Sequence, residues 1–315
     1  MNPKLPTSFH LSFEVNRASN NGAALVALES TVITHGLPAP QNLELAAEME
    51  QAVRDQGAVP ATIAVLDGKI RIGLGLDEVE RIANEPNPLK VSLRDFASAL
   101  TQRRVGGTTV AGTLFAAHQA AIQVFATGGI GGVHRPADGS AQFDISTDLQ
   151  ALSQFPLIVV CAGAKSILDL DATLEMLETL GVPVIGYGTD KFPEFFSPGT
   201  KRPVSVRLDN PREVVEFARS HWGIGLRSAL LVCQPVPADA AMSASEAEEA
   251  EARADEEARK KGISGQALTP FLLKRVNELT KGKSMRANLA LLKNNASLAG
   301  KIAAQLALES RMREF

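Results

Sequence analysis

Residues 155–165 read FPLIVVCAGAK, an apolar run of strand length that stops at Gly163 and is followed two residues later by Lys165. A strand without polar alternation is buried on both faces, the habit of parallel sheets covered by helices. Outward from it the pattern repeats. Downstream, the helical stretch ATLEMLETL (172–180) leads into a second apolar run, GVPVIGYGT (181–189). Upstream, VAGTLFAAHQA (110–120) leads into AIQVFATGG (121–129). Further upstream, GAALVALES (22–30) ends at Glu29 and Ser30, and residues 43–56 place Leu43, Ala46, Met49 and Val53 on one helical stripe. ATIAVLDGKIRIG (61–73), centred on Asp67-Gly68, reads as a hairpin, so the sheet is mixed. The expectation is a three-layer α/β/α fold with a central mixed, largely parallel sheet. It forms a single domain over 1–315, with residues 1–22 as an N-terminal extension.

The 315 residues are 45% apolar, 21% charged and 5% aromatic, which suits a large aliphatic core and excludes a disordered chain. With 32 Lys plus Arg against 35 Asp plus Glu, the net charge of −3 argues against a nucleic-acid or membrane footprint and leaves room for a local phosphate pocket. No stretch reaches the roughly 20 apolar residues of a membrane span. The N-terminus MNPKLPTSFHLSFEVNR lacks a signal peptide's apolar core. Cys161 and Cys233 lie inside apolar runs, as core thiols do, and fit a reducing cytoplasm. Residues 243–261 carry seven acidic side chains early and four basic ones late, the order that matches a helix dipole; with Ser243 or Ser245 as N-cap this is a charged surface helix.

The glycine-rich turns are not dinucleotide loops. Gly73-Leu74-Gly75 has Glu78 where a third glycine belongs, and Gly129-Ile130-Gly131 has His134 there; no Gly-Lys-Ser/Thr follows either. Gly106-Gly107-Thr108-Thr109 reads as a turn at a helix N-terminus, where free N–H groups and two hydroxyls can meet an anion.

Ligands of α/β sheets bind beyond the carboxyl ends of the strands. Glu29, Thr127 to Gly129 with His134 downstream, Asp144 and Asp148, and Lys165 all fall at such places. A lysine just past a buried strand, at a helix start, is pushed toward the neutral amine that forms Schiff bases; the alternative is a packed stem with its amine in solvent. Glu29 is a candidate general acid or a turn cap. Lys90 suits an electrostatic role toward phosphate or sugar. Asp144 and Asp148 could hold a hard divalent ion largely through water, or cap a helix. No zinc motif and no GxSxG elbow are present.

Together these segments resemble the pseudouridine-5'-phosphate glycosidase family, also called indigoidine synthase A-like. The matching stretches are ALESTVITHGLPAPQN, KVSLRD, GGTTVAGT, VFATGGIGGVHR, FDISTDL, VVCAGAKSILD, GVPVIGYGTDKFPEFFS, GQALTPFLL and ANLALLKNNASLA, in the family's order from about residue 24 to 305. The resemblance implies reversible cleavage of the C–C glycosidic bond of pseudouridine 5'-phosphate to uracil and ribose 5-phosphate, a Mn2+ cofactor (one divalent ion per subunit) and a cytoplasmic homotrimer. By the same resemblance Glu29 matches the proton donor, Lys165 the covalent nucleophile and Asp144 the metal aspartate. Lys90, Val110, Ser146, Thr147 and Asp148 match substrate-contacting positions, and Thr109, His134 and Asn288 are carried over as active-site positions. Two other functions compete: a Schiff-base lyase or aldolase on another sugar phosphate, and a sugar-phosphate-binding protein without catalysis.

Overall fold

The computed structural model describes residues 5–135, 144–263 and 268–312. Phe143 of FDISTDL, residues 265–267 of GQALTPFLL and the first four residues of the N-terminal extension lie outside it. The chain opens with β1 (Phe9–Leu11), α1 (Phe13–Asn20), β2 (Leu25–Leu28) and α2 (Gln41–Arg54). The hairpin follows as β3 (Val59–Leu66) and β4 (Lys69–Ile72), then α3 (Leu76–Ala83), β5 (Leu89–Val91), α4 (Phe96–Thr101) and β6 (Gly106–Thr108). The middle of the chain supplies α5 (Val110–Gln119), β7 (Val124–Ala126), α6 (Thr147–Gln154), β8 (Ile158–Cys161) and α7 (Leu170–Thr179). Next come β9 (Val184–Tyr187), β10 (Val206–Leu208), α8 (Pro211–Gly223) and β11 (Leu230–Cys233). The chain closes with α9 (Ala244–Lys260), α10 (Leu268–Leu279) and α11 (Lys283–Arg311).

The strands form one mixed, mostly parallel sheet in the order β1-β4-β3-β2-β7-β8-β11-β9-β10, flanked by helices. The antiparallel pairings are those of β4 and β6 with β3, and β1 and β5 follow β4 and β6 in direction. The apolar runs picked out in the sequence are its centre: Val26, Val159, Val160, Leu231 and Val232 are fully buried. The hairpin turn is where it was expected, with Asp67 at φ 53° and Gly68 at φ 74°, the left-handed pair of a tight type I′ connection. Residues 9–11 extend the sheet edge in parallel with β4. Cys161 and Cys233 are buried free thiols in register on β8 and β11.

One local expectation is overturned. Gly106–Thr108 is not a turn but β6, parallel to β5 and antiparallel to β3. The glycines are there for close packing: a Cβ on Gly107 would stand 2.3 Å from Thr34 Oγ1 and 2.9 Å from the Ser30 carbonyl oxygen. Thr108 is fully buried, and its hydroxyl is spent on the Ile63 carbonyl at 2.7 Å and on Thr113 at 2.9 Å, so it cannot face an anion.

Candidate active site

The parallel register delivers the site. Leu28 of β2 pairs with Ala126 of β7, and Ala126 with Val160 of β8, so Glu29, Thr127 and the loop after β8 leave the sheet next to one another. The Thr127 hydroxyl donates to Glu29 Oε1. Ser30 locks the turn that follows: its hydroxyl donates to the Ile63 carbonyl at 2.6 Å and accepts the Thr108 N–H at 3.0 Å. After β8 the backbone turns at Gly163 (φ 84°), where a Cβ would lie 2.1 Å from the Pro193 carbonyl oxygen; only glycine fits that bend. Beyond it the Lys165 N–H donates to the Ile130 carbonyl at 3.0 Å.

A cavity of about 70 Å3 is lined by Glu29, Lys90, Lys165, His35, Phe195 and Asn288, with Pro270, Leu273 and Leu292 roofing it from α10 and α11. It adjoins a chamber of about 510 Å3 that shares His35, Pro270, Leu273 and Asn288. Burial pushes the Glu29 carboxyl above its ordinary range, against the pull of the Lys165 charge and the Thr127 hydroxyl. Burial, then the neighbouring Lys165, holds Lys90 below the usual lysine range. An acid inclined to keep its proton thus shares a small, partly dry space with two amines. That combination can protonate an oxygen and present a nitrogen nucleophile.

The other expected residues form a second group. Thr109 and Ser146 cap α5 and α6, accepting the N–H of Gly112 and of Asp148, both at 3.2 Å. Asp148 ties the two helix starts to the loop after β7: Oδ1 accepts the Ala111 N–H at 2.9 Å and Oδ2 the Gly131 N–H at 2.8 Å. Both hydroxyls keep a proton to donate, and Val110 and Thr147 open the two helices, so the pair of N-termini suits a phosphate. His134 donates its N–H to the Asp144 carbonyl at 2.9 Å; burial lowers its ring pKa, and the Asp144 charge opposes that. Each Asp148 oxygen already accepts a backbone N–H, so of the two expected carboxylates Asp144 is the more available to a cation. Among the described residues no three His, Cys, Asp or Glu side chains converge as a metal cage. This donor set fits a hard ion that keeps most of its water, and does not fit a protein-caged zinc.

Several lining residues escaped sequence reasoning. His35, with its Nδ1 at 2.7 Å from Thr34 Oγ1, is brought in by a turn of π-helix over Val32–Gly36, a shape with no periodicity to read. Phe195, at φ 61°, enters from a loop that no apolar period marks. Asn295, two turns beyond Asn288 on α11, does not line the cavity but supports it: it is 1% exposed and donates to the Thr127 carbonyl at 2.8 Å. The run NNAS held that signal, but only the packed helix shows which amide turns inward.

An α/β fold with a buried acid and a lysine at adjacent strand ends is the framework of an enzyme of the glycosidase or lyase kind. The chain belongs to the indigoidine synthase A-like family, whose model matches residues 14–305. The pseudouridine-5'-phosphate glycosidase of Paracoccus denitrificans (strain Pd 1222) is 50% identical over 305 residues, covering 96% of this chain and 100% of its own. That of Glaesserella parasuis serovar 5 (strain SH0165) is 48% identical over 299 residues, 95% of this chain and 97% of its own. Among solved structures, the prealnumycin C-glycosynthase in complex with ribulose 5-phosphate aligns with a TM-score of 0.90 at 38% identity, over 98% of this chain and 100% of that one. An indigoidine synthase A-like protein from Thermotoga maritima aligns at 0.86 with 36% identity, over 95% and 96%.

Proposed function

We propose that this chain cleaves the C–C glycosidic bond of pseudouridine 5'-phosphate reversibly, giving uracil and ribose 5-phosphate through a covalent adduct on Lys165. The observation that carries the reading is the single cavity holding Glu29 and Lys165. A C-glycoside has no leaving atom that can simply be protonated, so the sugar ring opens first. Glu29 gives its proton to the ring oxygen as the bond to the anomeric carbon breaks, and the uracil ring supplies the electron pair and releases its N1 proton. The Lys165 amine adds to that carbon, the uracil regains its N1 proton, and the nitrogen's extra proton returns to Glu29. The nitrogen pair then forms the C=N bond while the C–C bond breaks and uracil C5 takes up a proton. Water adds to the iminium, freeing Lys165 and ribose 5-phosphate.

Thr109, Val110, Ser146 and Thr147 would grip the phosphate at the two helix starts, with Lys90 adding charge; remote binding of this kind can hold the sugar for ring opening. His134 and Asn288 would contact substrate, and Asp148 would set the loop geometry. Asp144 would hold a hydrated Mn2+ whose charge favours the anionic substrate. We assign the protein to the cytoplasm as a homotrimer on family grounds. No helix among the described residues is long and apolar enough to cross a membrane. The test is uracil release from pseudouridine 5'-phosphate with borohydride trapping. Wild type should release uracil and yield a sugar adduct on the peptide containing Lys165, and K165A should do neither. An adduct surviving in K165A removes the lysine from its role, and adduct formation without uracil favours a lyase on another sugar phosphate.

A further inference from the structure

A second cavity, of about 240 Å3, is lined by Arg135, Ser166, Asp169, Glu194, Arg202 and Glu251 among others. Glu251 sits on the inward face of α9 with Ala247, Ala250 and Ala254 and is 3% exposed. Its Oε1 and the hydroxyl of Ser166 are both buried, and neither completes a hydrogen bond of regular geometry among the described residues. Arg135 joins the two: Nη2 lies 3.7 Å from Glu251 Oε2 and donates to the Ser166 carbonyl at 3.1 Å, while Nε donates to the Leu168 carbonyl at 3.3 Å. The Leu168 N–H in turn donates to the Lys165 carbonyl at 3.0 Å. A carboxyl in this place is costly where an aliphatic side chain would suit the alanine face, so its polar tip is there for the guanidinium and the hydroxyl that it faces.

We propose that Glu251 is a positioning residue: through Arg135 and the Ser166 hydroxyl it fixes the turn that carries Lys165, and so sets where that amine stands relative to Glu29. The inference rests on the reading of Lys165 as the nucleophile. Small displacements of a reacting group are expensive, up to about 10²-fold for 1 Å.

The experiment compares E251Q, E251M and S166A in the full chain. Methionine keeps the length and volume and removes the polar tip; glutamine keeps a polar tip facing Ser166 and Arg135. With pseudouridine 5'-phosphate, E251M should lose about 10- to 100-fold in kcat with KM within about threefold, and E251Q should return to within about threefold of wild type. A readout without substrate is the rate at which formaldehyde and cyanoborohydride methylate Lys165, followed by peptide mass spectrometry with Lys281 as reference. That rate should change in E251M and S166A and stay unchanged in E251Q. If wild type releases no uracil, the catalytic reading fails while the labelling still decides the positioning claim. Wild-type kcat and labelling in E251M overturn the proposal, as does an equal loss in E251Q and E251M. Should E251M fail to fold, unchanged labelling in S166A overturns it instead.

Discussion

Glu29 and Thr127 stand side by side, each one residue past the Leu28–Ala126 pair of β2 and β7, and the threonine hydroxyl bonds the carboxyl. The bond is shut away from water, Glu29 being 8% and Thr127 1% exposed. Burial drives the acid toward its protonated form while the hydroxyl draws it back. The threonine therefore tunes the pH at which Glu29 gives up its proton.

Replacing Thr127 with valine keeps the shape and removes that pull. A general acid is lost as pH rises through its pKa, so the rate of T127V should fall off at a higher pH than wild type. E29Q should lose about 10²- to 10⁴-fold and the whole alkaline limb. Rate profiles from acid to alkaline pH check both, and a T127V profile that superposes on wild type would cut the link.

Asp148 uses each carboxylate oxygen on a different backbone segment, Ala111 at one helix start and Gly131 in the loop after β7. Asparagine offers one acceptor, so D148N leaves one buried N–H facing an amide. We expect a loss of about 1–3 kcal/mol in stability, read from denaturant midpoints, with a raised KM. An unchanged midpoint would mean that one of the two bonds carries no weight.

The donor set around Asp144 leads to a chelation experiment. EDTA should lower uracil release and Mn2+ should restore it, while D144A should respond to neither. Activity indifferent to chelator discards the ion.

Glu251 gives a pH-dependent stability. Burial raises its pKa to about 7, with Glu194 and Glu248 pushing the same way and Ser166 and Arg135 opposing. From its ordinary 4.5 up to about 7 the folded chain keeps a proton that the unfolded chain has shed. The associated stability is complete below the lower value and lost as pH rises through the upper one, up to about 3 kcal/mol. Between pH 6 and 9, wild type should lose more thermal midpoint than E251Q; equal losses would contradict this.

Much of the fold could be read from the sequence because its central strands are unbroken apolar runs, and a strand buried on both faces has no other composition. The positions of Glu29 and Lys165 were legible for the same reason: a charge soon after such a run stands beyond the carboxyl end of a central strand. What the sequence hid is contact made by close approach. Gly106 and Gly107 look like a turn and form a strand, because the reason for them lies elsewhere in the chain: Val91 and Leu89 crowd Gly106, and Thr34 and Ser30, over 70 positions away, crowd Gly107. His35 and Phe195 reach the cavity through a π-turn and a left-handed residue, neither of which leaves a periodic trace. Glu251 looked solvated amid other acids, and only the tilt of α9 selects which carboxyl turns inward.

The roof of the cavity comes from α10 and α11, and Asn295 reaches back across 168 positions to hold the Thr127 carbonyl. A growing chain on the ribosome would therefore possess its acid and its lysine long before it possesses a closed chamber. On the proposed reading, turnover would wait for the last helix to dock, because until then the wall opposite these two side chains is missing.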